Sequence, residues 1–551
     1  MTHWNVDIDR PEATFPTLTG EQLSAIRPFG DEVEFPADTC LYQRGDRDID
    51  FYVVLSGELE VFGQDRYGGK QVYVTHGEGS FTGELNLFSN SKCLVSTRAV
   101  TPIRVLRVRH QKLKRLFTAE PELGQIFLRA FVLRRANFIR LRQAGISLIG
   151  FANDSDTLRV RQFLTRNGYP HEVVDPGARD PQGKTPMSCL ALGLEDLPAI
   201  WDGKKLLLKN PSLAVLSREL GMLEELPSSH TFDVAIVGAG PAGLAASVYA
   251  ASEGLDTVLL DEIGPGGQAG TSSRIENYLG FPNGLSGQEL ASRAQTQAVK
   301  FGVHFVTART VDAIRKTGSE PIFELTLSDR SLVRTRSVIV ASGARYRKLE
   351  LADYERFEGR GLHYAATAME AELCRGEEVI VVGGGNSAGQ AAVYLSGTCA
   401  KVHVLVRGKS LSSSMSNYLI ERIQASSRIQ MHFDTEITRL IGKKELESVE
   451  WKIASDPRAS AIPVRTVFVM IGALPCTDWL RDCVELDKKG FIRTGRTSPF
   501  ETTQPGIFAV GDVRSDSVKR VASAVGEGSV VLQWVHQYLS QKRPSERGVA
   551  A

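Results

Sequence analysis

Short apolar runs separated by glycine turns fill the first quarter of the chain. These short β-type runs predict strands, and the glycines between them predict the turns of an antiparallel β-roll or barrel. From residue 112 to about 142 the apolar positions recur with helical spacing, and Arg134 is among the polar residues around them. This pattern predicts one long helix that closes this unit. The four predicted strands are Phe51–Leu55, Leu59–Phe62, Val72–Thr75 and Arg104–Val108.

A second pattern lies between residues 146 and 222: strand, helix, strand, then two further strands and a last helix. This order resembles the thioredoxin or glutaredoxin fold. The resemblance implies redox cysteines at the start of the first helix, but the chain has Ala152-Asn153-Asp154-Ser155-Asp156 there. Because a thiolate is the reacting group in disulfide exchange, this unit is predicted to lack that chemistry.

A dinucleotide site is indicated where a buried strand at residues 232–237 runs into a glycine turn and a helix of small residues. Gly238 permits the tight turn, Gly240 lets the backbone approach a pyrophosphate, and Gly243 allows close helix packing. The helix N-terminus attracts the anion. The next strand ends in Asp261, an acid suited to a ribose hydroxyl.

The same strand, turn and helix pattern returns at residues 379–388. Its second strand ends in Arg407, with Lys409 two residues on, where a carboxylate would repel a 2′-phosphate. A guanidinium binds phosphate, so this site is predicted to prefer NADPH; a solvated surface arginine is the alternative. The turn residues predicted to hold this nucleotide are Gly383, Gly385, Asn386 and Ser387.

Composition limits the class of protein. A chain of 551 residues is too long for one domain of roughly 100 to 200 residues. The 65 basic and 64 acidic side chains give a net charge of +1, which favours neither nucleic acid nor an anionic membrane as partner. No apolar run approaches the roughly 18 residues of a membrane span, no export signal or metal motif is evident, and no cysteines have Cys-x-x-Cys spacing. These features predict a cytoplasmic protein with free thiols.

From residue 232 to about 539 the chain resembles the low-molecular-weight thioredoxin reductases. The motifs that carry the resemblance are Gly266-Gly267-Gln268, Glu276-Asn277-Tyr278, Ala341-Ser342-Gly343, Gly383–Ala388 and Gly511-Asp512. The resemblance implies FAD and NADPH as cofactors, with hydride passing from nicotinamide to flavin. Besides the first glycine turn and Asp261, the residues it assigns to FAD are Gly266, Gly267, Gln268, Asn277, Gly343, Gly511, Asp512, Arg520 and Val521.

The chain departs from this family at its redox centre. The family carries a Cys-Ala-Thr-Cys run after a Gly-Arg-Gly, and the corresponding run here is Ala365-Ala366-Thr367-Ala368. Ala365 and Ala368 therefore stand at the two cysteine positions. The nearest thiol is Cys374, for which small core filler is the favoured role over redox chemistry.

The first unit resembles a cyclic-nucleotide-binding domain through residues 54–59 and 81–87. The resemblance implies a phosphate cassette at Gly83 and Glu84, followed by an arginine on the cyclic phosphate. Cys93 occupies that arginine's position, next to Lys92. Enclosing a phosphate without a cation is costly, so we expect cyclic-nucleotide binding only if Lys92 reaches inward; a degenerate or differently liganded roll is the favoured alternative.

These patterns predict a multidomain protein: a β-roll with its helix, a thioredoxin-like α/β domain, and two Rossmann-like α/β dinucleotide-binding domains. The predicted function is an NADPH-dependent FAD oxidoreductase, active as a homodimer, with regulatory N-terminal modules. Its external electron acceptor is open among a small redox protein, a quinone and oxygen, and a weakly active flavin sensor or scaffold is the alternative. The predicted domains are residues 15–143, 146–222, 230–349 with 467–545 (FAD), and 350–466 (NADPH).

Overall fold

The structure is a computed structural model of the 551-residue chain. It describes residues 11–64, 69–83, 87, 92–141, 143–151, 154–179, 184–202, 205–223, 229–271, 275, 278–317, 322–358, 360–364, 366, 368–412, 414–443, 445–454, 456–480 and 482–541. The chain divides into two compact units. The first comprises residues 1–342, 477–485 and 492–551, and the second comprises residues 343–476 and 486–491.

The first unit begins with the roll, and each of the four strands predicted from the sequence lies within one of its strands. Its elements are α1 (Pro11–Thr14), α2 (Gly20–Ile26), β1 (Asp31–Phe35), β2 (Cys40–Tyr42), β3 (Phe51–Ser56), β4 (Leu59–Gln64), β5 (Lys70–His76), β6 (Ser96–Ala99), β7 (Ile103–Val108), α3 (His110–Ala119) and α4 (Pro121–Arg140). The strands form two antiparallel sheets, in the orders β1-β7-β3 and β2-β6-β4-β5.

The single long helix predicted here is wrong, because α3 and α4 are separate helices that meet at Glu120. Proline disfavours helical backbone at the residue before it, and Glu120 before Pro121 has φ −122° and ψ 74°. The aromatic stripe of α4 packs on its own roll. The Phe127 ring lies 5.0 Å from the Phe51 ring and 4.8 Å from the Phe81 ring, so this stripe needs no partner subunit to be covered.

Residues 146–222, here called the insert, follow directly. Their elements are β8 (Ile146–Ile149), α5 (Ser155–Arg166), β9 (His171–Val174), α6 (Pro186–Leu190), β10 (Ala199–Trp201), β11 (Leu206–Lys209) and α7 (Leu213–Glu219). The sheet order is β11-β10-β8-β9, with only β8 and β9 parallel among these pairings. Asp154 caps α5 by accepting a hydrogen bond from the Thr157 amide at 2.9 Å, which fixes where this helix begins.

The first nucleotide sheet starts after the insert. Its elements are β12 (Thr231–Val237), α8 (Pro241–Ser252), β13 (Thr257–Asp261), α9 (Gly287–Lys300), β14 (His304–Thr307), β15 (Val311–Thr317), β16 (Ile322–Leu327) and β17 (Leu332–Val340). The order is β14-β13-β12-β17-β16-β15. Strands β12, β13, β14 and β17 are parallel, which brings their carboxyl ends to one edge of the sheet.

The second unit holds a five-stranded parallel sheet and a smaller antiparallel one. Its elements are β18 (Ala344–Tyr346), α10 (Tyr354–Phe357), β19 (Leu362–His363), α11 (Ala368–Leu373), β20 (Glu378–Val382), α12 (Asn386–Leu395), β21 (Lys401–Val406), α13 (Asn417–Ala425), β22 (Ile429–Phe433), β23 (Thr435–Ile441), β24 (Ser448–Ile453), β25 (Asp456–Ile462), β26 (Val467–Val469) and β27 (Ala473–Pro475). The orders are β19-β26-β20-β21-β22 and β23-β24-β25, and β18 pairs with β27.

The chain leaves the second unit later than the sequence indicated. The boundary was predicted between residues 466 and 467, but β26 is hydrogen-bonded to β20 and belongs to the second unit's sheet. The last elements, in the first unit, are β28 (Ile507–Ala509), α14 (Val521–Val530) and α15 (Leu532–Gln541). Strand β28 pairs in parallel with β17.

Among the described residues, no helix is long and apolar enough to cross a membrane. Within the same part of the chain, no three His, Cys, Asp or Glu side chains are grouped so that they could hold a metal ion.

Candidate dinucleotide-binding sites

The turn after β12 admits only glycine at two positions. Gly238 has φ +108°, and a Cβ there would lie 2.3 Å from the Ala341 carbonyl oxygen. A Cβ at Gly243 would lie 1.8 Å from the Gly238 carbonyl oxygen. At Gly240, which precedes α8, a Cβ would meet nothing closer than Gly267 Cα at 3.9 Å. The turn is therefore tight against the sheet yet open at the helix N-terminus, as a pyrophosphate requires.

Asp261, the acid at the end of β13, accepts hydrogen bonds from backbone amides of the glycine turn and of the residues that follow β13. Its Oδ2 accepts a hydrogen bond from the Ala239 amide at 2.7 Å. Its Oδ1 accepts from the amides of Ile263 and Gly264 at 3.0 and 2.8 Å. A carboxylate offers about four acceptor sites, so capacity for a ribose hydroxyl is left, and that role stays a prediction.

Residues 263–267, here called the flavin loop, lie over the glycine turn. The Gly266 amide donates to the Ala239 carbonyl at 2.8 Å. Gly266 and Gly267 have φ +121° and +53°, in the region that favours glycine. A Cβ at Gly267 would lie 2.9 Å from Gly240 Cα. The predicted Gly266-Gly267-Gln268 motif is thus brought to the predicted pyrophosphate turn, although it lies far along the chain.

The predicted C-terminal residues of the site come to the same sheet edge. Register places Ala509 of β28 beside Val340 of β17, and Val340 beside Val237 of β12. Gly511 and Asp512 follow β28, and burial raises the pKa of the Asp512 carboxyl above its usual range. The structure therefore assembles this group on the carboxyl edge of one parallel sheet, where nucleotides bind in such folds.

A glutamate that sequence reasoning missed supports this corner. Glu527 Oε2 accepts from the Gly511 amide at 2.6 Å, and its Oε1 accepts from Arg514 Nη2 at 2.8 Å. Helix α14 begins at Val521 directly after Arg520, so the predicted Arg520 and Val521 stand at a helix N-terminus with amide donors to offer.

Two predicted flavin residues are not placed with this group. Asn277 lies outside the described residues. Gly343 is the first residue of the second unit, where it has φ +69° and its carbonyl accepts from the Cys476 amide at 3.0 Å.

The second glycine turn follows β20 and repeats the first geometry. Gly383 has φ +142°, and a Cβ there would lie 2.4 Å from the Met470 carbonyl oxygen. Gly385 precedes α12, and Ser387 is exposed in its first turn. Asn386 has an internal role: its Oδ1 accepts from both the amide and the hydroxyl of Ser416, at 2.8 and 2.7 Å. It therefore shapes the turn rather than offering this oxygen to a ligand.

Arg407 and Lys409 are exposed just beyond the end of β21. The adjacent strand β20 ends at the glycine turn, so both cations stand at the same edge of the parallel sheet. The described residues provide neither side chain with a hydrogen bond or ion pair, which leaves both cations available to an anion.

Arg407→Ala is expected to lower the preference for NADPH over NADH about ten- to a hundredfold, because a charged hydrogen bond contributes about 1.5 to 3 kcal/mol. The ratio of the two kcat/KM values measures this. Arg422→Ala, an exposed arginine of α13, is the control and should leave the ratio unchanged. An unchanged ratio in Arg407→Ala would show that this arginine is only a solvated surface residue.

The structure pairs two cysteines that sequence spacing did not connect. Cys374 and Cys399 are buried with their Sγ atoms 3.6 Å apart. They precede β20 and β21, at the opposite strand ends from the glycine turn. Because one thiol donates to the other, the pKa of Cys399 is lowered and that of Cys374 is raised. Contact across 25 residues of sequence has no periodic signature, which is why it went unpredicted.

The roll contains a cavity of about 120 Å³ with a mainly apolar lining. Gly83 and Cys93 both line it, as the resemblance to a cyclic-nucleotide-binding domain implies. Glu84 lies outside the described residues. Lys92 requires a correction, because it does not reach inward: its Nζ donates to the Glu219 carbonyl of α7 at 3.1 Å.

The cation at the cavity is Arg134 of α4, which the sequence suggested only as a polar flank of the helix. Its side chain lines the cavity and the residue is 6% exposed. Its Nη1 donates to the Gly83 carbonyl at 3.0 Å and its guanidinium lies 4.7 Å from the Phe81 ring centre. Burial, aided by the Arg134 charge, lowers the pKa of neighbouring His76 to about 3, so this histidine is neutral at physiological pH.

Native protein is expected to bind cyclic AMP weakly or not at all, and Cys93→Arg is expected to tighten binding about tenfold or more, the effect of one charged hydrogen bond to phosphate. Titration calorimetry measures both. Cys40→Arg, at an exposed roll position, is the control. Low-micromolar affinity in the native protein would contradict the first expectation, and unchanged affinity in folded Cys93→Arg would contradict the second.

Comparison with known proteins identifies the family to which the chain belongs. A family model described as pyridine nucleotide-disulphide oxidoreductase matches residues 232–528, more than half of the chain. The chain belongs to this family. A second model, a cyclic nucleotide-binding domain, matches residues 32–120. The protein is a thioredoxin reductase-like flavin enzyme with a cyclic nucleotide-binding domain at its N-terminus, and its cofactors are FAD and NADPH.

Several relatives match more than half of the chain and nearly the whole of their own length. A "34.2 kDa protein in rubredoxin operon" of Clostridium pasteurianum is 30% identical, covering 56% of this chain and 98% of that protein. A thioredoxin reductase of Listeria innocua is 31% identical, covering 58% and 98%. The crystal structure of thioredoxin reductase from Streptococcus pyogenes matches with a TM-score of 0.50 and 30% identity, covering 56% and 99%.

Proposed function

We propose that the protein is an NADPH-dependent FAD oxidoreductase that passes electrons from the flavin directly to an external acceptor. The observation that carries this is alanine at both positions of the family's redox pair, Ala365 and Ala368, in a chain with no Cys-x-x-Cys anywhere. Ala365 and the side chain of Ala368 lie outside the described residues, so the proposal rests here on sequence.

The described thiols support this proposal. Cys374 and Cys399 are buried at the strand ends remote from the nucleotide turn, and a buried thiol is poorly placed to attack the disulfide of another protein. Cys189 is exposed, but it belongs to α6 of the insert. The two cysteines whose Sγ atoms are in contact, Cys374 and Cys399, are therefore both buried, whereas disulfide exchange with a protein requires an accessible thiol.

The chain's own residues bind and orient the two cofactors. The N-termini of α8 and α12, behind their glycine turns, suit the two pyrophosphates. Asp512 suits a hydroxyl of the flavin's side chain, and Arg407 suits the 2′-phosphate. FAD, when bound, supplies two-electron chemistry toward NADPH and either one- or two-electron chemistry toward an acceptor.

The roll and the insert are proposed as regulatory or docking modules. The cavity lining includes Leu141 and Gln143, at the junction that leads into β8 of the insert. Roll and insert are also joined by hydrogen bonds, including Arg135 Nη1 to the Gly168 carbonyl at 3.2 Å. A ligand bound in the cavity would thus contact residues at the junction where the insert begins. A homodimer and a cytoplasmic location remain predictions from the sequence.

Anaerobic titration with NADPH, followed by a panel of acceptors, tests the function. The panel comprises a ferredoxin- or flavodoxin-like protein, a quinone, oxygen and an artificial dye. We expect rapid NADPH oxidation with at least one of them. Slow turnover with every acceptor would instead support the alternative of a flavin and NADPH sensor or scaffold.

A further inference from the structure

The insert contacts the flavin loop through the end of helix α5. Arg166 Nη2 donates to the Gly267 carbonyl at 3.1 Å. Asn167 Nδ2 donates to the Ile263 carbonyl at 2.7 Å. From the other side, Gln288 Nε2 donates to the Arg166 carbonyl at 3.4 Å. Both ends of the flavin loop are thereby held by consecutive residues of the insert.

Arg166 is a buried cation with a defined electrostatic partner. The residue is 8% exposed, and burying an arginine is costly unless charge and hydrogen bonds compensate. Burial lowers the pKa of Arg166, and the Asp261 carboxylate opposes this shift. Asp261 in turn holds the Ala239 amide of the glycine turn. The guanidinium is therefore placed beside the group that organises the dinucleotide site.

The carbonyl to which Arg166 donates belongs to Gly267, the residue of the flavin loop that lies against the glycine turn at Gly240. Gly267 leaves so little space that a Cβ on it would lie 2.9 Å from Gly240 Cα. Because Gly267 has no Cβ, its backbone is free to adopt many conformations in the absence of a restraint. Arg166 supplies that restraint, and without it the loop would have to be ordered when FAD binds, which costs affinity.

We propose that Arg166 is a positioning residue of the flavin site, and that the insert, which lacks redox cysteines where its fold would carry them, serves to hold the FAD-binding loop. The family model matches from residue 232 onward, so Arg166 lies outside the part of the chain that this model covers. The proposal rests on FAD binding in the first unit and is independent of which acceptor takes the electrons.

The test is the FAD dissociation constant of the full-length apoprotein, measured by quenching of FAD fluorescence. Arg166→Ala is expected to weaken FAD binding about ten- to a hundredfold, the range for loss of a charged hydrogen bond. Arg166→Lys keeps the positive charge but not the planar guanidinium, so its FAD dissociation constant should lie between those of the parent and Arg166→Ala. Arg161→Ala, an exposed arginine of the same helix, is the matched control and should bind FAD like the parent.

A purely structural role predicts a different result. If Arg166→Ala lowered the unfolding temperature of the apoprotein but left the FAD dissociation constant unchanged, the proposal would be overturned. Should Arg166→Ala fail to fold, Arg166→Lys and Asn167→Ala decide: weaker FAD binding in both supports the proposal, and parental binding in both overturns it. If the parent protein reduced thioredoxin, the proposed function would be contradicted. The effect of the Arg166 variants on FAD binding would still test the present proposal separately.

Discussion

NADPH added without oxygen is expected to bleach the flavin of this protein while every thioredoxin disulfide offered to it stays oxidised. The chain belongs to a family that uses FAD and NADPH, and alanine stands at positions 365 and 368, which the resemblance assigns to the internal dithiol. Alanine has no sulfur to attack a disulfide. Stopped-flow absorbance of the flavin band measures the first half, and a coupled disulfide assay measures the second.

Two controls distinguish the expected result from its alternatives. The thioredoxin reductase of Listeria innocua, run in parallel, shows that the assay detects disulfide reduction. A Cys374→Ser/Cys399→Ser variant of the present chain should behave like the parent. Robust disulfide turnover that disappears in this variant would show that the buried pair has taken over the missing function. Failure of the flavin to bleach would favour the sensor.

Gly243→Ala is expected to abolish FAD loading and to destabilise the first unit by about 3 kcal/mol. A Cβ at this position would lie 1.8 Å from the backbone oxygen of Gly238, and backbone cannot rotate aside as a side chain can. Helix α8 would have to move away from the turn that its N-terminus completes. Chemical denaturation and the ratio of flavin to protein absorbance after purification measure the two effects.

Gly526→Ala is the matched control for this substitution. Gly526 lies within α14, and a Cβ there would meet nothing within 4 Å. Because alanine restricts the unfolded chain more than glycine does, this variant should be neutral or more stable by up to about 1 kcal/mol. Normal FAD content in Gly243→Ala would show that the turn is looser than its geometry requires.

Local stereochemistry explains why the glycine turns were predictable. Gly238, Gly243 and Gly383 are fixed by steric limits that act within a few residues, so the sequence motif and the geometry coincide. Four strands of the roll, β3, β4, β5 and β7, were likewise predictable from short β-type runs between glycine turns. The break between α3 and α4 could also have been found, because Pro121 disfavours helical backbone at Glu120; helical periodicity on both sides concealed it.

Contacts between distant residues could not be predicted in this way. Arg166 and Gly267 are 101 residues apart, and no periodicity in either segment refers to the other. Lys92 was considered only as the neighbour of Cys93 in the cassette, whereas the direction of its side chain is set by its contact with α7 of the insert. Arg134 looked like a solvent-facing residue of a helix, because nothing in its neighbours indicates that α4 lays this side over the roll's cavity.

The contact between α5 and the flavin loop also bears on how such a chain can change during evolution. The junction near residue 228 has the composition of a linker, and gene fusion or recombination could join or separate modules there. Loss of the insert would nevertheless remove the hydrogen bonds that Arg166 and Asn167 donate to the Gly267 and Ile263 carbonyls. Among homologous fusions, the residue types at position 166 and at residues 263–267 are therefore expected to covary, although the junction separates them in sequence.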